Sequence, residues 1–500
     1  MSRNHNSTLF QQIDDLREVK KKSAQGATSI LLSQGVTLVI NVGALSILAR
    51  SLEPRLFGLI GMIAAVTNFA MIFQDLGFSM ATIQSKSITH EQASSLFWIN
   101  STLGLMIAIC LWLLSPLIAN FYGETELIGL TTVIAISFVF SGMSVQYQAL
   151  IRRRMQFLHL ALIRCSGILL ANILGVLIAI HGGGAWSLAV IQVSISLFDF
   201  LGGVIVLQWI PSLPKIETPI KQLLSFGSNI AGFSIVTYFA RNLDKILIGR
   251  VFGEEILGFY SKAYELMLLP LTRLRGPILG VASPALSGLK SNEKEYASYF
   301  LNFISLLGIV SFPLILCLVV CSHQLVYLVL GQDWIQTVVL FRWLGCAAIL
   351  QPFNWALGIL LVSSHQSRRY LIWGGLHSSI IVLSFFIGIA WSAKGVAIAY
   401  ASASAVLFFP SVVFCTVNSV IKIGDILQTI WIPFIGGLFS TALVLIVERT
   451  FTLQSQLGIL LAKIVIFGVT YTLSLSLFPN ARRKMIATFK LLKNVIPCLG

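Results

Sequence analysis

The sequence predicts an all-α polytopic membrane protein of about fourteen transmembrane helices: two six-helix parallel repeats forming two lobes, then two C-terminal helices. Three observations carry this expectation. The first is composition: 56% of the 500 residues are hydrophobic and 11% are charged, and mean hydropathy is +0.87, whereas an ordinary soluble domain carries about 25% charged residues. The second is the length of the apolar runs, since a helix needs about 20 residues to cross the hydrocarbon core. The third is an echo at an offset of 200 residues, where RSLEPRLFG at 50–58 is answered by RVFGEEILG at 250–258. Arg50 matches Arg250, Leu52 matches Phe252, Phe57 matches Leu257 and Gly58 matches Gly258. Each segment joins the end of one apolar run to the start of the next. An even number of crossings returns the chain to its starting side, so two tandem six-span units keep one orientation, a build found in alternating-access transporters.

In chain order, a polar tail at 1–23 precedes the first run at 24–49, which lacks a small-residue cleavage site and reads as a retained helix rather than a signal peptide. Further runs follow at 57–84, 93–118, 127–149, 157–180 and 185–208, completing a first lobe over 24–208. The proline-rich, polar stretch 209–222 (WIPSLPKIETPIKQ) reads as a cytoplasmic linker. The second lobe, 223–417, holds runs at 223–249, 256–282, 297–321, 334–362, 370–391 and 395–417. GGGAWSLA at 182–189 and SAKGVAIA at 392–399 echo one another at equivalent loops. Accessory spans thirteen and fourteen (429–447 and 456–478) lie within 418–478, and 479–500 is a basic cytoplasmic tail.

Orientation follows from lysine and arginine, which accumulate on the cytoplasmic side. With the N-terminus inside, cytoplasmic segments carry 21 of the 34 and external segments carry 5. That split predicts an even span count with both termini cytoplasmic. It also accounts for most of the +15 net charge, so nucleic acid is not an expected partner. In the tails, Phe10, Ile13, Leu16 and Val19, and Met485, Phe489, Leu492 and Ile496, recur at helical spacing among basic residues. Such stretches either bind anionic lipid or serve as topology anchors.

Several function classes are disfavoured. There is no P-loop, no Gly-x-Ser-x-Gly and no HExxH, and the longest external loop, 322–333 (SHQLVYLVLGQD), is short and apolar. The seven cysteines fall mostly inside apolar runs without metal-ligand spacing and read as packing residues. No cofactor, metal or catalytic residue is therefore expected, and energy would come from an ion gradient or the substrate's own gradient.

Ionisable groups inside a bilayer are costly and usually face an internal cavity. The candidates are Asp75, Arg164, Asp199, Arg241, Asp244, Lys245, Lys262, Glu265, Arg273, Arg275, Arg342 and Lys463, with basic groups in excess. Seven of the twelve fall on spans seven and eight. Arg241 and Lys245 are i,i+4 neighbours, and such like charges repel unless water or an anion lies between them. Asp244 is placed to neutralise one of them, and Lys262 can pair with Glu265. The alternatives are a wet cationic cavity and a set of ion pairs that lock helix packing. Tyr238, Tyr260 and Tyr264 lie nearby and could line a sugar-binding surface or simply pack. Arg273 and Arg275 lie between Pro270 and Pro277, where the helix could be broken; they either meet an anionic head group or snorkel to the lipid surface. Asp75, the lone acid of span two, is either a hydrogen-bonded structural group or, with Asp244, a coupling site for a proton or sodium ion.

LARSLEPRLFGLIGM (48–62), FQDLGFSMATIQ (73–84), ALIRRRMQF (149–157), YFARNLDKILIGRVFGEEILGFYSKAYELMLLP (238–270) and LVYLVLGQDW (325–334) resemble a polysaccharide flippase. The resemblance is to the lipopolysaccharide, O-antigen and colanic-acid exporter type of the multidrug/oligosaccharidyl-lipid/polysaccharide superfamily, and it covers nearly the whole chain. It implies two six-helix lobes around a central cavity in the bacterial inner membrane, inward- and outward-facing states, and a lipid-linked oligosaccharide of the undecaprenyl-pyrophosphate type moved between leaflets. Arg241, Lys245, Lys262, Arg273 and Arg275 would then bind the head group. Implied partners are that lipid, the surrounding membrane lipids and polysaccharide polymerase or ligase machinery. The last two helices would face lipid and help accommodate the polyprenyl tail. Two competing readings are a multidrug cation antiporter, against which the basic surplus argues, and a membrane polymerase or ligase, which would present a sizeable catalytic loop.

Overall fold

The structure, a computed structural model, describes residues 16–74, 78–85, 88–213, 220–289, 291–417, 419–450, 455–479 and 482–483. The described residues form helices and no strand. The first half runs α1 (Leu16–Ser51), α2 (Pro54–Ala70), α3 (Phe78–Gln84), α4 (His90–Tyr122), α5 (Glu126–Arg153), α6 (Phe157–Ile180) and α7 (Ala185–Leu207). A 69-residue helix, α8 (Ile220–Gly288), follows, with one non-helical residue, Gly253. The chain continues as α9 (Glu293–Val320), α10 (Ser322–Val329), α11 (Thr337–Ala348), α12 (Gln351–Ser363), α13 (Ser367–Ile389), α14 (Ala393–Thr416), α15 (Ile423–Thr450) and α16 (Gln456–Ser476).

Twelve helical stretches are long and apolar enough to cross a membrane among the described residues. They coincide with twelve of the fourteen sequence-predicted spans. The other two, 223–249 and 256–282, are the two arms of α8, joined at Gly253, whose φ of +83° is cheap only for glycine. Helix ends are set by local chemistry. Thr89 and Gln92 form a reciprocal capping box before α4, and Gly123 closes that helix in the left-handed region. Asn292 accepts a hydrogen bond from the Glu295 amide at the start of α9.

Four expectations change. Span two, predicted as one run over 57–84, gives way after Ala70 to a 3₁₀ turn at Met71–Phe73 before the short α3. Buried Arg153 holds that region, its Nη1 donating to the carbonyls of Thr82 (2.8 Å) and Ser85 (2.7 Å). Span ten divides into α11 and α12, with Pro352 in the first turn of α12, where its missing N–H costs nothing. The predicted external loop 322–333 is largely the helix α10 and a 3₁₀ turn, because its apolar residues pack rather than face water. The backbone of α8 stays helical through Pro270 and Pro277, so the break expected there is absent and lies at Gly253 instead.

The chain divides into two compact units, Met1–Gly258 and Phe259–Gly500. In the first, α4 and α5 approach backbone to backbone at Gly104 and Gly142; a Cβ on either would lie 3.2 Å from the other's Cα. Phe97, Tyr147, Leu207 and Trp209 form a second core cluster. Trp209, the first residue of the predicted linker, is wholly buried; its indole donates to His90 Nδ1 (3.0 Å) and its carbonyl accepts from the Tyr147 hydroxyl (3.0 Å). In the second unit, Phe300, Phe312 and Phe353 share one core with Ile430 and Val444 of α15 and Phe467 and Tyr471 of α16. The accessory helices are thus integral to that unit. Lys463 is buried, pairs with Glu448 at 2.7 Å and donates to Gln324 Oε1 (3.1 Å) and the Val320 carbonyl (3.3 Å), whereas Leu461, Ile464 and Val465 of the same helix are exposed. Glu448 lay outside the predicted span because α15 runs to Thr450.

Candidate functional site

The first arm of α8 is fixed against α2. The Tyr238 hydroxyl donates to the Ala65 carbonyl, and Phe69 packs against Tyr238 (5.4 Å between ring centroids) and Phe239 (5.6 Å). About one turn past Lys245, a Cβ on Gly249 would lie 3.1 Å from the Tyr122 ring and 3.4 Å from Met62. At 3.6 residues per turn, Arg241, Asp244, Lys245 and Ile248 share the side of the helix that also carries Tyr238. Tyr238, Asp244 and Ile248 are buried there, whereas Arg241 is exposed and Lys245 half-buried. Two cationic side chains therefore reach accessible space on the packed side of a membrane helix.

The remaining sequence-selected residues are placed as follows. Lys262, on the second arm, pairs with Glu265 at 2.6 Å, the i,i+3 pair read from the sequence. The Arg275 guanidinium lies over the Trp355 ring, 5.1 Å from its centroid, a cation–π contact. The side chain of Arg273, and Asp75 as a whole, lie outside the described residues. Arg241, Asp244 and Lys245 belong to the first unit, and Lys262, Arg273 and Arg275 to the second.

Sequence reasoning singled out Arg164 and Asp199 only as intramembrane charges; the structure pairs them at 2.6 Å between α6 and α7. It missed a further cluster at the repeat-matched segments. Arg55 donates through Nε to Glu254 (2.7 Å) and through Nη2 to Glu126 (2.9 Å) and Glu124 (3.3 Å). Arg250 lies over the Phe121 ring at 5.8 Å. Beside them, a Cβ on Gly58 would strike the Glu254 carbonyl and one on Gly258 would strike the Pro54 carbonyl. These contacts are reciprocal under the 200-residue offset, because 58 meets 254 as 258 meets 54. The signal lay in the motifs themselves, RSLEPRLFG and RVFGEEILG, whose final glycines match and whose central charges differ.

The Glu124 carboxyl is pushed above its ordinary value by burial and then by the charge and hydrogen bond of Glu254. Burial also pushes Glu254 up, but bonds from its own backbone, Arg55 and Glu124 outweigh this and leave it below the ordinary value. One arginine thus serves three carboxylates, and two of them, Glu124 and Glu254, are displaced in opposite directions. Among the described residues no three His, Cys, Asp or Glu side chains are grouped to hold a metal ion.

Residues 47–339, more than half of the chain, match the family model described as "Polysaccharide biosynthesis protein". Curated relatives include the teichuronic acid biosynthesis protein TuaB of Bacillus subtilis (strain 168), 28% identical with 64% of this chain and 72% of TuaB covered. Another is the lipopolysaccharide biosynthesis protein WzxC of Escherichia coli (strain K12), 25% identical with 69% and 70% covered. Among solved structures, the lipid II flippase MurJ in an inward closed conformation is similar with a TM-score of 0.69 at 14% identity, covering 92% of this chain and 99% of that one. An inward-facing multidrug resistance MATE family transporter of the MOP superfamily matches with a TM-score of 0.59 at 14% identity, covering 79% and 96%. At that identity these two likenesses concern the fold. On the family match, this multi-pass membrane chain belongs to the polysaccharide biosynthesis protein family.

Proposed function

We propose that this protein is a flippase that moves a lipid-linked oligosaccharide of the undecaprenyl-pyrophosphate type across the bacterial plasma membrane for cell-surface polysaccharide synthesis. The carrying observation is the placement of Arg241 and Lys245 in accessible space on the packed side of α8. Two guanidinium or ammonium groups one turn apart suit a diphosphate, and their exposure to hydrocarbon would be costly. The names and fold of the relatives agree with this substrate class. The basic character of the cavity residues disfavours the cationic substrates of a multidrug antiporter.

In this reading residues 24–208 and 223–417 are the two lobes, 209–222 links them on the cytoplasmic side, and 418–478 supplies accessory helices. The regions 1–23 and 479–500 lie in the cytoplasm, as the 21-to-5 charge split suggests. Arg241 and Lys245, with Lys262, Arg273 and Arg275, hold the head group, and Lys262 must exchange Glu265 for phosphate to do so. Arg55 and the Gly58/Gly258 contact lie on the proposed external side. Transport is of the secondary type, with Asp75 or Asp244 as the coupling group, and the product passes to polymerase or ligase machinery. Charge reversal at Arg241 or Lys245 should abolish lipid-linked oligosaccharide transport while leaving membrane insertion intact. Transport at the wild-type rate by both variants would refute the reading.

A further inference from the structure

We infer that Arg164, presented by Asp199, is a binding residue for a phosphate-bearing lipid head group on the inner face of the first six-helix bundle. This deepens the proposed flippase reading and rests on it for the choice of ligand.

Helix α6 has two distinct faces. Leu158, Leu162, Leu169, Ile173 and Leu177 are exposed along one side, as lipid-facing residues should be. Gly167, Ile168, Ala171 and Gly175 continue the i+3, i+4, i+7, i+11 row that begins at Arg164, and all four are buried. Arg164 therefore lies on the packed side, yet its side chain is 53% exposed. Space reachable by solvent opens on the protein side of the helix at this level. One turn further on, the helices are closed, with a Cβ on Gly167 only 3.2 Å from Phe198 and 3.7 Å from Asp199.

The ion pair is lopsided in the way a presented cation requires. The Asp199 side chain is 11% exposed against 53% for its partner, and the bond runs through Nη1 alone to Asp199 Oδ2 at 2.6 Å. A pair whose purpose is to lock two helices would hide both charges. Here the carboxylate is sunk between α6 and α7 and fixes one nitrogen of the guanidinium. The rest of the planar donor set stays accessible, with geometry suited to two-pronged binding of phosphate. Arg164 is seven residues beyond Phe157, about 10 Å along the helix from the proposed cytoplasmic end. A cation at that depth, on a protein-facing side, would not need to snorkel back to the surface. It would meet a head group that has already left the cytoplasmic leaflet.

The test uses the full chain, purified, with binding of two probes followed separately: an undecaprenyl-diphosphate oligosaccharide and phosphatidylglycerol. Arg164→Gln should weaken diphosphate-lipid binding by about tenfold, and Arg164→Lys by about threefold, because an ammonium keeps the charge but loses the fork. Asp199→Asn should fall between wild type and Arg164→Gln. If wild type does not take the diphosphate lipid but binds phosphatidylglycerol in an Arg164-dependent way, the inference stands and the flippase reading fails. If wild type binds the diphosphate lipid and both Arg164 variants bind both probes with wild-type affinity, the inference is overturned and the pair is structural. Should Arg164→Gln fail to fold, Arg164→Lys decides alone, since it retains the pairing with Asp199.

Discussion

Glu124 and Glu254 share one arginine and are displaced in opposite directions, which gives the Arg55 cluster its own pH signature. Because Glu254 lies below the ordinary carboxyl value, its stabilising contribution is present above that value and is lost as pH falls through its folded pKa. Because Glu124 lies above it, its contribution is full below the ordinary value and declines as pH rises through its folded pKa. The cluster should therefore support the fold best near the ordinary carboxyl range, and Glu124→Gln should remove the decline on the alkaline side. Thermal melting across pH 4–8 in detergent checks this; an unchanged alkaline limb in the variant would show that Glu124 is not displaced upward in the fold. At this scale the sequence was a partial guide. The i,i+3 pairing of Lys262 with Glu265 could be read from spacing alone. Arg55 with Glu254, 199 residues apart, and Arg164 with Asp199, 35 apart, could not, because their contact is set by helix packing.

Helices were readable where apolar length decides, and less so where a helix is interrupted. Gly253 breaks α8 because its positive φ suits glycine, whereas Pro270 and Pro277, the more conspicuous residues, are absorbed within the helix. The division of span two after Ala70 had no proline or charge run to announce it. Two elements invite direct tests. Gly58→Ala places a methyl against the Glu254 backbone, which cannot give way as a flexible side chain would. It should cost about 1–3 kcal/mol of stability, as should Gly258→Ala, and the two costs should not add, since they disturb one contact. Equal melting temperatures for Gly58→Ala and wild type would argue against the crossing. Lys463→Met strands Gln324 and the Val320 carbonyl beneath α16 and should cost about 1–3 kcal/mol; no loss in a denaturation experiment would mean that the accessory helices are held by apolar packing alone.

For the whole molecule, composition and run length sufficed to predict a helical membrane protein, and the repeat motif marked a place where matched backbone segments meet reciprocally. The division into two compact units and the burial of each intramembrane charge were less accessible, because a helical sequence records which residues share a face but not which faces share a space. The proposed topology is checked by single cysteines at Ser291 and Gln332 in a chain whose own cysteines are replaced. Impermeant label should reach Gln332→Cys and not Ser291→Cys from outside intact cells, and the reverse would invert the topology. The most direct test of function is leaflet exchange in vesicles containing only this protein and a defined undecaprenyl-diphosphate oligosaccharide. Wild type should bring the lipid from the inner to the outer leaflet far faster than protein-free vesicles, and Arg241→Glu should reduce exchange to the protein-free rate. Exchange by wild type no faster than in empty vesicles, under either a proton or a sodium gradient, would contradict the flippase reading.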